Sequence, residues 1–249
     1  MIGDEIIKII VLVKEIFDTN QQIDLDKRDK LEKTINLHDE HALEEAIRLK
    51  EKFGGEVIIY TVGDRDTRKT MNYYMAMGAD RVELVISKNK EAKNVAVSLV
   101  QTIEEKDADF DMILGGFNGI DYDRGEVPGR VSVRLDIPFI NMVTKIEVEG
   151  KRVRCKRELE NKEEIIEGFL PAIITVQRGI NTPRFPDGRS IFMDKSSLIL
   201  ERETDINYST LSREVVRLKK EKNVEMIEGK DSGEKIENLI KILKAKKLL

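Results

Sequence analysis

The chain has 249 residues, 40% hydrophobic and 36% charged, enough for one large α/β domain with extensions or for two small domains. Its 43 basic and 47 acidic residues leave a formal charge of −4, so no global field recruits nucleic acid or an anionic membrane. The single cysteine, Cys155, excludes an intramolecular disulfide and fits a reducing compartment. The early apolar run 6–13 is too short to span a membrane, and we expect a cytoplasmic protein without a membrane span.

Buried strands alternate with helices along the first 143 residues. Apolar runs rich in Ile and Val predict strands at residues 6–13, 56–62, 81–86, 110–114 and 137–143. Helical spacing of apolar residues predicts helices at 39–53, 67–77, 93–106 and 126–135. The polar stretch 18–34 predicts a loop that can hold a short hairpin. This alternation predicts right-handed βαβ units and an α/β fold with a doubly wound, mostly parallel sheet, Rossmann-like and similar to adenine nucleotide hydrolases.

The pattern changes after about residue 144. Alternating, charged residues predict an antiparallel hairpin insertion at 145–153 and 155–169, and an apolar run predicts a buried strand at 171–176. The chain is then polar and irregular from 181, with helices predicted at 209–222 and 233–247. We therefore expect an α/β domain at 1–200 and a C-terminal arm at 201–249. The apolar stripe of the last helix packs on its own domain or on a partner, since amphipathicity does not say which.

Ligands of open α/β sheets bind outside the carboxyl ends of the strands, where the strand order reverses. This rule selects residues 13–19, 36–39, 62–66 and 115–130. The last segment, GGFNGIDYDRGEVPGR, combines glycines, which let the backbone approach a ligand, with a helix start, whose free amides attract phosphate. Alternatively, its glycines only form a tight turn, because the spacing is neither GxGxxG nor a P-loop. Arg124 and Arg130 could bind phosphate, or pair with Asp121 or Glu126.

Two histidines, His38 and His41, lie three residues apart at a predicted helix start. They could hold a metal, but without a third ligand motif we favour capping or a nucleotide contact. No Ser–His–Asp or Cys–His arrangement stands out, so the sequence offers no obvious general acid or base. This favours a carrier over a stand-alone enzyme.

Six motifs in order, over residues 6–195, resemble the β subunit of electron transfer flavoproteins, including the type associated with nitrogen fixation. VLVKEIFDT resembles the family's VxVKxVPDT, and INLHDEHALEEAIRLKEKFGGEV resembles INPxDxxALEEALRLKEKxGGEV. MAMGADRVELV resembles ALAMGADRAxLV, and GFNGIDYDRGEVP resembles GxQAIDGDTxQVGP. KRELENKEEIIEGFLPAIITV resembles the signature that ends in LPAxxTV, and GINTPRF resembles xNEPRY.

The resemblance implies a heterodimer with an α subunit that holds most of the redox FAD, facing the β subunit. It also implies AMP or a second FAD in the β subunit, and an arm at 201–249 that wraps the α subunit. Carried over by position, the nucleotide contacts are Leu12, Val13, Asn36, Leu37, His38, Asp39, Val62, Gly63, Gly119, Ile120, Asp121, Asp123, Arg124, Gly125, Glu126, Val127, Gly129 and Arg130.

Departures from the family pattern affect the nucleotide and the redox partner. Pro128 and Gly129 reverse the family's Gly-Pro, and Pro128 removes an amide that could bind phosphate. In the family, the loop corresponding to 184–198 docks acyl-CoA dehydrogenases through a leucine and several lysines. Here it contains PDGRSIFMDKSS, so we expect a different redox partner at this loop.

The sequence Asp18-Thr19 resembles the FAD-containing, electron-bifurcating branch more than the AMP branch. We therefore favour FAD in the β site, with AMP as the alternative, and possible use of NADH as the electron donor. The alternative function, which the fold alone allows, is a stand-alone adenine-nucleotide-binding module of the stress-sensor kind.

Overall fold

The computed structural model describes residues 6–18, 20–21, 31–186, 188–193, 195–208 and 224–249. The chain divides into two units, Met1–Ser209 and Thr210–Leu249. The first unit contains, in chain order, β1 (Ile7–Leu12), β2 (Glu15–Phe17), β3 (Lys33–Ile35), α1 (Leu37–Phe53), β4 (Gly55–Gly63), α2 (Thr67–Met77), β5 (Arg81–Ile86), α3 (Ala92–Lys106), β6 (Met112–Gly116), α4 (Glu126–Leu135), β7 (Phe139–Glu149), β8 (Arg152–Leu159), β9 (Lys162–Phe169), β10 (Ala172–Val176), α5 (Gly188–Ile191) and β11 (Ile199–Glu203).

Nine of the described strands form one sheet in the order β11-β5-β4-β1-β6-β10-β7-β8-β9. The strands from β11 to β7 pair in parallel, and β8 and β9 continue the sheet in antiparallel pairing. The chain moves from β1 to β4 and β5 on one side and then crosses to β6 on the other. The strand order thus reverses between β1 and β6, where an α/β sheet opens a crevice at its carboxyl edge. The predicted doubly wound, mostly parallel α/β sheet is confirmed.

Both faces of the central strands are buried, which explains their continuous apolar runs. Successive residues of a strand point to opposite faces, so β1 divides its side chains between two clusters. Ile9 and Val11 pack in the cluster that includes residues of α1 and α2. Ile10 and Leu12 pack in the cluster that includes residues of α3 and α4.

The antiparallel insertion differs from its predicted bounds. Instead of strands at 145–153 and 155–169, β7 runs on to Glu149, and two short turns separate it from β8 and β9. The first turn contains Gly150 with a φ of 56°, in the left-handed region that favours glycine. The second turn falls at residues 160–161, among charged residues that resemble the strands around them. For this reason the sequence pattern predicted one strand, 155–169, where the structure has the two strands β8 and β9.

The stretch 181–203 holds structure that the pattern did not predict. Residues 199–203 form the parallel edge strand β11, beside β5. Of its side chains, Ile199 is buried, whereas Glu201 accepts hydrogen bonds from Arg65 and Arg68. One apolar anchor among charged residues is too weak an alternation to be recognised as a strand.

A short hairpin ladder flanks the polar stretch 18–34, within which the sequence allowed a hairpin. β2 and β3 pair in antiparallel fashion, and Glu15 pairs with Ile35 at its base. Residues 19 and 22–30, between the two strands, lie outside the described residues.

The second unit contains helix α6 (Ser232–Ala245), close to the predicted 233–247. Its N-cap residue is Asp231, whose side chain accepts a 2.9 Å hydrogen bond from the Glu234 amide. Ile236, Leu239 and Ile240 of this helix are exposed. The predicted helix at 209–222 lies outside the described residues. Within the part of the chain that the structure describes, no helix has the length and apolar character to cross a bilayer.

Candidate functional site

The glycine-rich segment between β6 and α4 folds into a tight loop, residues 117–125. The carbonyl oxygen of Gly119 accepts hydrogen bonds from the amides of Tyr122 (3.2 Å) and Asp123 (2.7 Å). Gly125, with a φ of 55°, leads into α4, and a Cβ there would overlap the carbonyl oxygen of Phe117. This glycine is therefore required by both its backbone conformation and a close approach.

Asn36, before α1, binds this loop with its side chain. Its amide nitrogen donates to the Asn118 carbonyl oxygen (2.8 Å), and its amide oxygen accepts from the Ile120 backbone N–H (3.1 Å). The Asn36 backbone N–H donates to the Lys14 carbonyl oxygen at 2.9 Å. Asn36 is buried, so these bonds hold the loop against the end of β1.

Asp39, in the first turn of α1, is a buried carboxyl group that joins three segments. Its Oδ2 accepts from the Lys14 backbone N–H (2.7 Å), after β1. Its Oδ1 accepts from the Gly116 backbone N–H (3.0 Å), at the end of β6, and from the Asn36 side chain (2.9 Å). Burial raises the pKa of Asp39 to about 7, because it outweighs these hydrogen bonds and the charge of Lys14.

Lys14 connects the outer part of the loop to β1. Its ammonium group donates to Asp121 Oδ1 at 2.7 Å and lies 5.0 Å from the centre of the Tyr122 ring. Asp121 Oδ1 also accepts from the Tyr122 backbone N–H (3.0 Å). Lys14 lies in the predicted segment 13–19 but is not among the predicted nucleotide contacts, although a cation directly after a central strand is a usable indication.

Arg124 and Arg130 both pair with Glu126. The Glu126 carboxylate lies 3.5 Å from Arg124 Nη1 and 2.8 Å from Arg130 Nη2. The hydrogen bond from Arg130, more than the charge of either arginine, lowers the pKa of Glu126. The two predicted alternatives for these arginines were phosphate binding and pairing with a carboxylate, and the structure shows pairing with Glu126. Both guanidinium groups lie beside the start of α4.

Four apolar or glycine positions of the predicted site occupy the ends of β1 and β4. Leu12, the last residue of β1, and Val13, which follows it, are buried, and Val62 packs with Leu12 and Val127 in one cluster. Gly63 lies so close to Thr67 that a Cβ there would overlap its side chain. Among the described residues, no hydrogen bond joins segment 62–66 to the glycine-rich loop. Gly129, within α4, faces the Phe139 ring.

His38 and His41 have different surroundings. The His38 ring meets the Phe117 ring edge-on at 4.5 Å, and burial, more than the nearby charges, lowers the pKa of His38. His41 Nδ1 lies 3.0 Å from Asn181 Oδ1, in the segment after β10. The described residues contain no group of three His, Cys, Asp or Glu side chains that could hold a metal ion.

A cavity of about 470 Å³ lies beside the predicted site, between α1, α2 and residues 178–185. Glu40, His41, Tyr73 and Arg178 contribute to its lining. Among the described residues that line it, Leu37 is the one that was also predicted to contact nucleotide. The cavity and the glycine-rich loop therefore lie on different sides of the start of α1.

The segment that follows β10 is clamped to α1. The Arg184 side chain binds Glu44 at 2.9 and 3.2 Å and Glu51 at 2.5 and 3.0 Å, and Glu51, then Glu44, raises the pKa of Arg184. Beyond this clamp, Phe185 and Phe192 are 91% and 90% exposed. Lys195 Nζ then donates to the Met75 carbonyl oxygen at 2.8 Å. Loop 184–198 is thus held near both ends while it presents aromatic side chains to solvent.

Comparison with known proteins identifies the family. The sequence model of the Electron transfer flavoprotein domain matches residues 27–197. The chain belongs to the electron transfer flavoprotein family. The family resemblance of the six motifs is confirmed, and so is the expected fold class.

The similar proteins include β-type subunits. The chain is 37% identical to the electron transfer flavoprotein subunit beta of Bacillus subtilis over 203 residues, which cover 79% of each chain. It is 30% identical to the caffeyl-CoA reductase-Etf complex subunit CarD of Acetobacterium woodii over 72% of this chain and 71% of that one. Protein FixA of Azotobacter vinelandii is 31% identical over 64% of this chain and 59% of its own length. The chain is thus of the β-subunit type in a family of electron transfer proteins.

Proposed function

We propose that this chain is the β subunit of a heterodimeric electron transfer flavoprotein and holds an adenine nucleotide at the carboxyl edge of its sheet. The redox FAD is held mainly by the α subunit, and electrons pass between a donor and an acceptor protein without covalent chemistry by side chains of this chain. The main support is the buried Asn36–Asp39 pair, which draws the end of β1, the start of α1 and the glycine-rich loop together at the point where strand order reverses.

The phosphate of the nucleotide binds at the start of α4. Gly125 precedes this helix and has no side chain that caps it, so first-turn amides are left for an anion. Arg124 and Arg130 lie beside these amides and exchange Glu126 for phosphate, which offers guanidinium groups better bidentate geometry. Asp123, also in this loop, accepts from a ribose hydroxyl.

We favour FAD over AMP in this site. The support is the resemblance of Asp18-Thr19 to the FAD-containing branch, although Thr19 lies outside the described residues. Similarity to a subunit of a caffeyl-CoA reductase-Etf complex supports assembly into a larger redox complex. The same resemblance of Asp18-Thr19 favours a bifurcating reaction that uses NADH. Two FAD per heterodimer, counted after heat release and chromatography, is the expected result. One FAD and one AMP would contradict the choice of FAD and the bifurcating reaction.

The redox partner binds loop 184–198, mainly through exposed aromatic residues. Phe185, Phe192 and Met193 are exposed there, and Met193 is 63% exposed. We expect F185A/F192A to slow electron transfer to a protein acceptor about tenfold, because anchor side chains dominate binding. Reduction of a small dye should not change. F169A, which removes an exposed phenylalanine of β9, is the matched control and should leave both rates unchanged.

The arm, 201–249, binds the α subunit through the exposed stripe of Ile236, Leu239 and Ile240. The proposed division is thus a nucleotide-binding domain at 1–200 and a partner-binding arm, of which residues 201–203 still belong to strand β11 of the sheet. A cytoplasmic location agrees with the presence of a single cysteine, Cys155. This cysteine is buried, and burial raises the pKa of its thiol to about 12.

Co-expression with an α subunit of the same organism tests the assignment. We expect a yellow complex with both chains in equal amounts. If the two chains do not associate, or the complex retains no flavin, the proposed function is wrong. Tight ATP binding by the isolated chain, without flavin, would instead support a stand-alone nucleotide-binding module.

A further inference from the structure

We propose that Asp39 is a positioning residue of the nucleotide site: its ionised carboxylate holds the ends of β1 and β6 at the start of α1, and nucleotide affinity depends on this charge. The inference rests on the proposed function and deepens it. The family resemblance implied a direct nucleotide contact for Asp39, whereas the contacts of this side chain indicate an action through the backbone of its neighbours.

The hydrogen bonds of Asp39 require an acceptor at both oxygens. Oδ2 accepts from the Lys14 backbone N–H, and Oδ1 accepts from the Gly116 backbone N–H and the Asn36 side chain. An ionised carboxylate is an acceptor only, so it satisfies all three donors. A neutral carboxyl group would turn its own O–H towards an N–H donor, and at least one of the three bonds would be lost.

Loss of one hydrogen bond of Asp39 would disturb the glycine-rich loop, because the groups that bind Asp39 also contact this loop. Gly116 leads directly into the loop, and a Cβ on Gly116 would overlap Asp39, so the two groups are in close contact. Asn36 holds the Asn118 carbonyl oxygen and the Ile120 amide. Lys14 holds Asp121 through its ammonium group. Each partner of Asp39 is therefore also a support of the loop.

Burial sets the direction of the pKa shift of Asp39, and the charge of Lys14, after β1, opposes it by favouring the ionised form. Asp121 of the loop is paired with the same Lys14. The titratable residues next to Asp39 along α1 are His38, Glu40 and His41, and Arg178, after β10, acts on His38. Burial raises the pKa of Asp39 to about 7, so the carboxyl group changes charge within the physiological range. Imidazole as a class changes charge near neutral pH, so the contributions of His38 and His41 are tested separately from that of Asp39.

The bound phosphate has the opposite effect to the hydrogen bonds, because it repels an ionised carboxylate. We expect the hydrogen bonds to prevail, since the phosphate lies at α4 and the three donors contact Asp39 directly. Nucleotide affinity should then rise with pH. An affinity that falls as the pH rises would show that repulsion prevails.

The experiment measures AMP affinity of the nucleotide-stripped heterodimer from pH 6 to pH 8, for wild type and D39N. AMP is the part that AMP and FAD share. Because a phosphate monoester also titrates near pH 6, the quantity compared is the ratio of wild-type to D39N affinity at each pH. With a pKa of about 7, ionised Asp39 declines about tenfold between pH 8 and pH 6, so the ratio should fall about tenfold.

A ratio that stays constant across this range would mean that Asp39 has only a structural role, and it would overturn the proposal. H38Q/H41Q serves as the control for histidine titration and should keep the wild-type pH profile. If D39N does not fold, this variant decides. The proposal is supported if the ratio of wild-type to H38Q/H41Q affinity for AMP is constant and wild-type affinity falls towards low pH by more than the titration of AMP explains. A ratio that changes with pH overturns it. Failure of wild type to bind AMP at any pH would instead contradict the proposed function itself.

Discussion

The two edges of the central sheet both contain buried polar networks, but of different kinds. At the amino edge, the Arg81 guanidinium binds Asp107 at 2.5 Å, Glu83 at 2.6 Å and Glu56 at 2.9 Å. Tyr60 donates to the other oxygen of Asp107 at 2.5 Å. At the carboxyl edge, Asn36 and Asp39 bind backbone groups of segments that come from β1 and β6.

We interpret this difference as a division of the sheet into an edge that stabilises the fold and an edge that carries the proposed nucleotide site. Opposite charges satisfy each other at the amino edge, and burial together with Asp107 raises the pKa of Tyr60, which therefore stays neutral. At the carboxyl edge, one carboxylate and one side-chain amide hold a loop, and Gly125 provides no side-chain cap for α4, where we propose that the phosphate binds. Substitutions at the two edges should therefore have different consequences.

The largest effect is expected for R81M at the amino edge. Removing the guanidinium group leaves the Asp107 and Glu83 carboxylates buried without their main partner, which costs about 3 to 5 kcal/mol of unfolding free energy. Urea unfolding measures this loss. R154M, which breaks the exposed Arg154–Glu167 pair, is the control and should cost about 0.5 kcal/mol or less. Equal effects of the two substitutions would contradict the stabilising role of the amino edge.

At the carboxyl edge, stability without nucleotide should depend on pH through Asp39. Its folded pKa of about 7 is above the ordinary 3.8, so folding binds a proton between these values. The stabilisation is complete below pH 4 and is lost as the pH rises to 7. From pH 5 to pH 8, the wild-type protein should lose about 2 kcal/mol relative to D39N in urea unfolding. Parallel pH profiles of the two proteins would show that Asp39 does not titrate there.

Substitution of Gly125 should remove nucleotide more than it affects the sheet. Gly125 and Gly150 have φ values of 55° and 56°, but a Cβ on Gly150 has no atom within 4 Å. The positive φ should destabilise the folded state of both alanine variants by a similar amount, about 1 to 2 kcal/mol. Only G125A also pushes against Phe117, so we expect it to retain less than about one tenth of the wild-type nucleotide. G150A should retain all of it, and equal retention would place the nucleotide elsewhere.

The smallest effect is expected for D121A. This substitution breaks the partly exposed Lys14–Asp121 pair at the rim of the loop and should change unfolding free energy by less than about 1 kcal/mol. Nucleotide should dissociate about threefold faster, as measured by release during gel filtration. E163A, which breaks the Lys156–Glu163 pair on β8 and β9, should leave the release rate unchanged. An unchanged rate for D121A would remove this pair from the site.

Elements with strong periodicity and clear ends were predictable from the sequence. The predicted bounds of the helices Thr67–Met77 and Glu126–Leu135 and of the strand Arg81–Ile86 agree with the structure. A glycine such as Gly78 ends a helix because it readily adopts the positive φ found there, and such a local effect can be predicted from the sequence. The carboxyl-edge rule likewise selected segments 13–19, 36–39 and 115–130 before any contact was known.

The contacts within those segments could not be predicted. Lys14 and Asp121 are 107 positions apart, and the register that brings them together depends on the whole sheet. Two of the three partners of Asp39 are backbone N–H groups, which every residue except proline has, so no sequence pattern reveals them. β11 has one buried anchor, Ile199, and its pairing with β5 comes from the tertiary structure.

A crystal structure of the heterodimer purified with its natural cofactors tests the central claim most directly. We predict an adenylate at the carboxyl edge, with its phosphate at the start of α4 and Asp39 still bonded to Lys14 and Gly116. An edge that is empty, or filled by side chains of the chain itself, would contradict it.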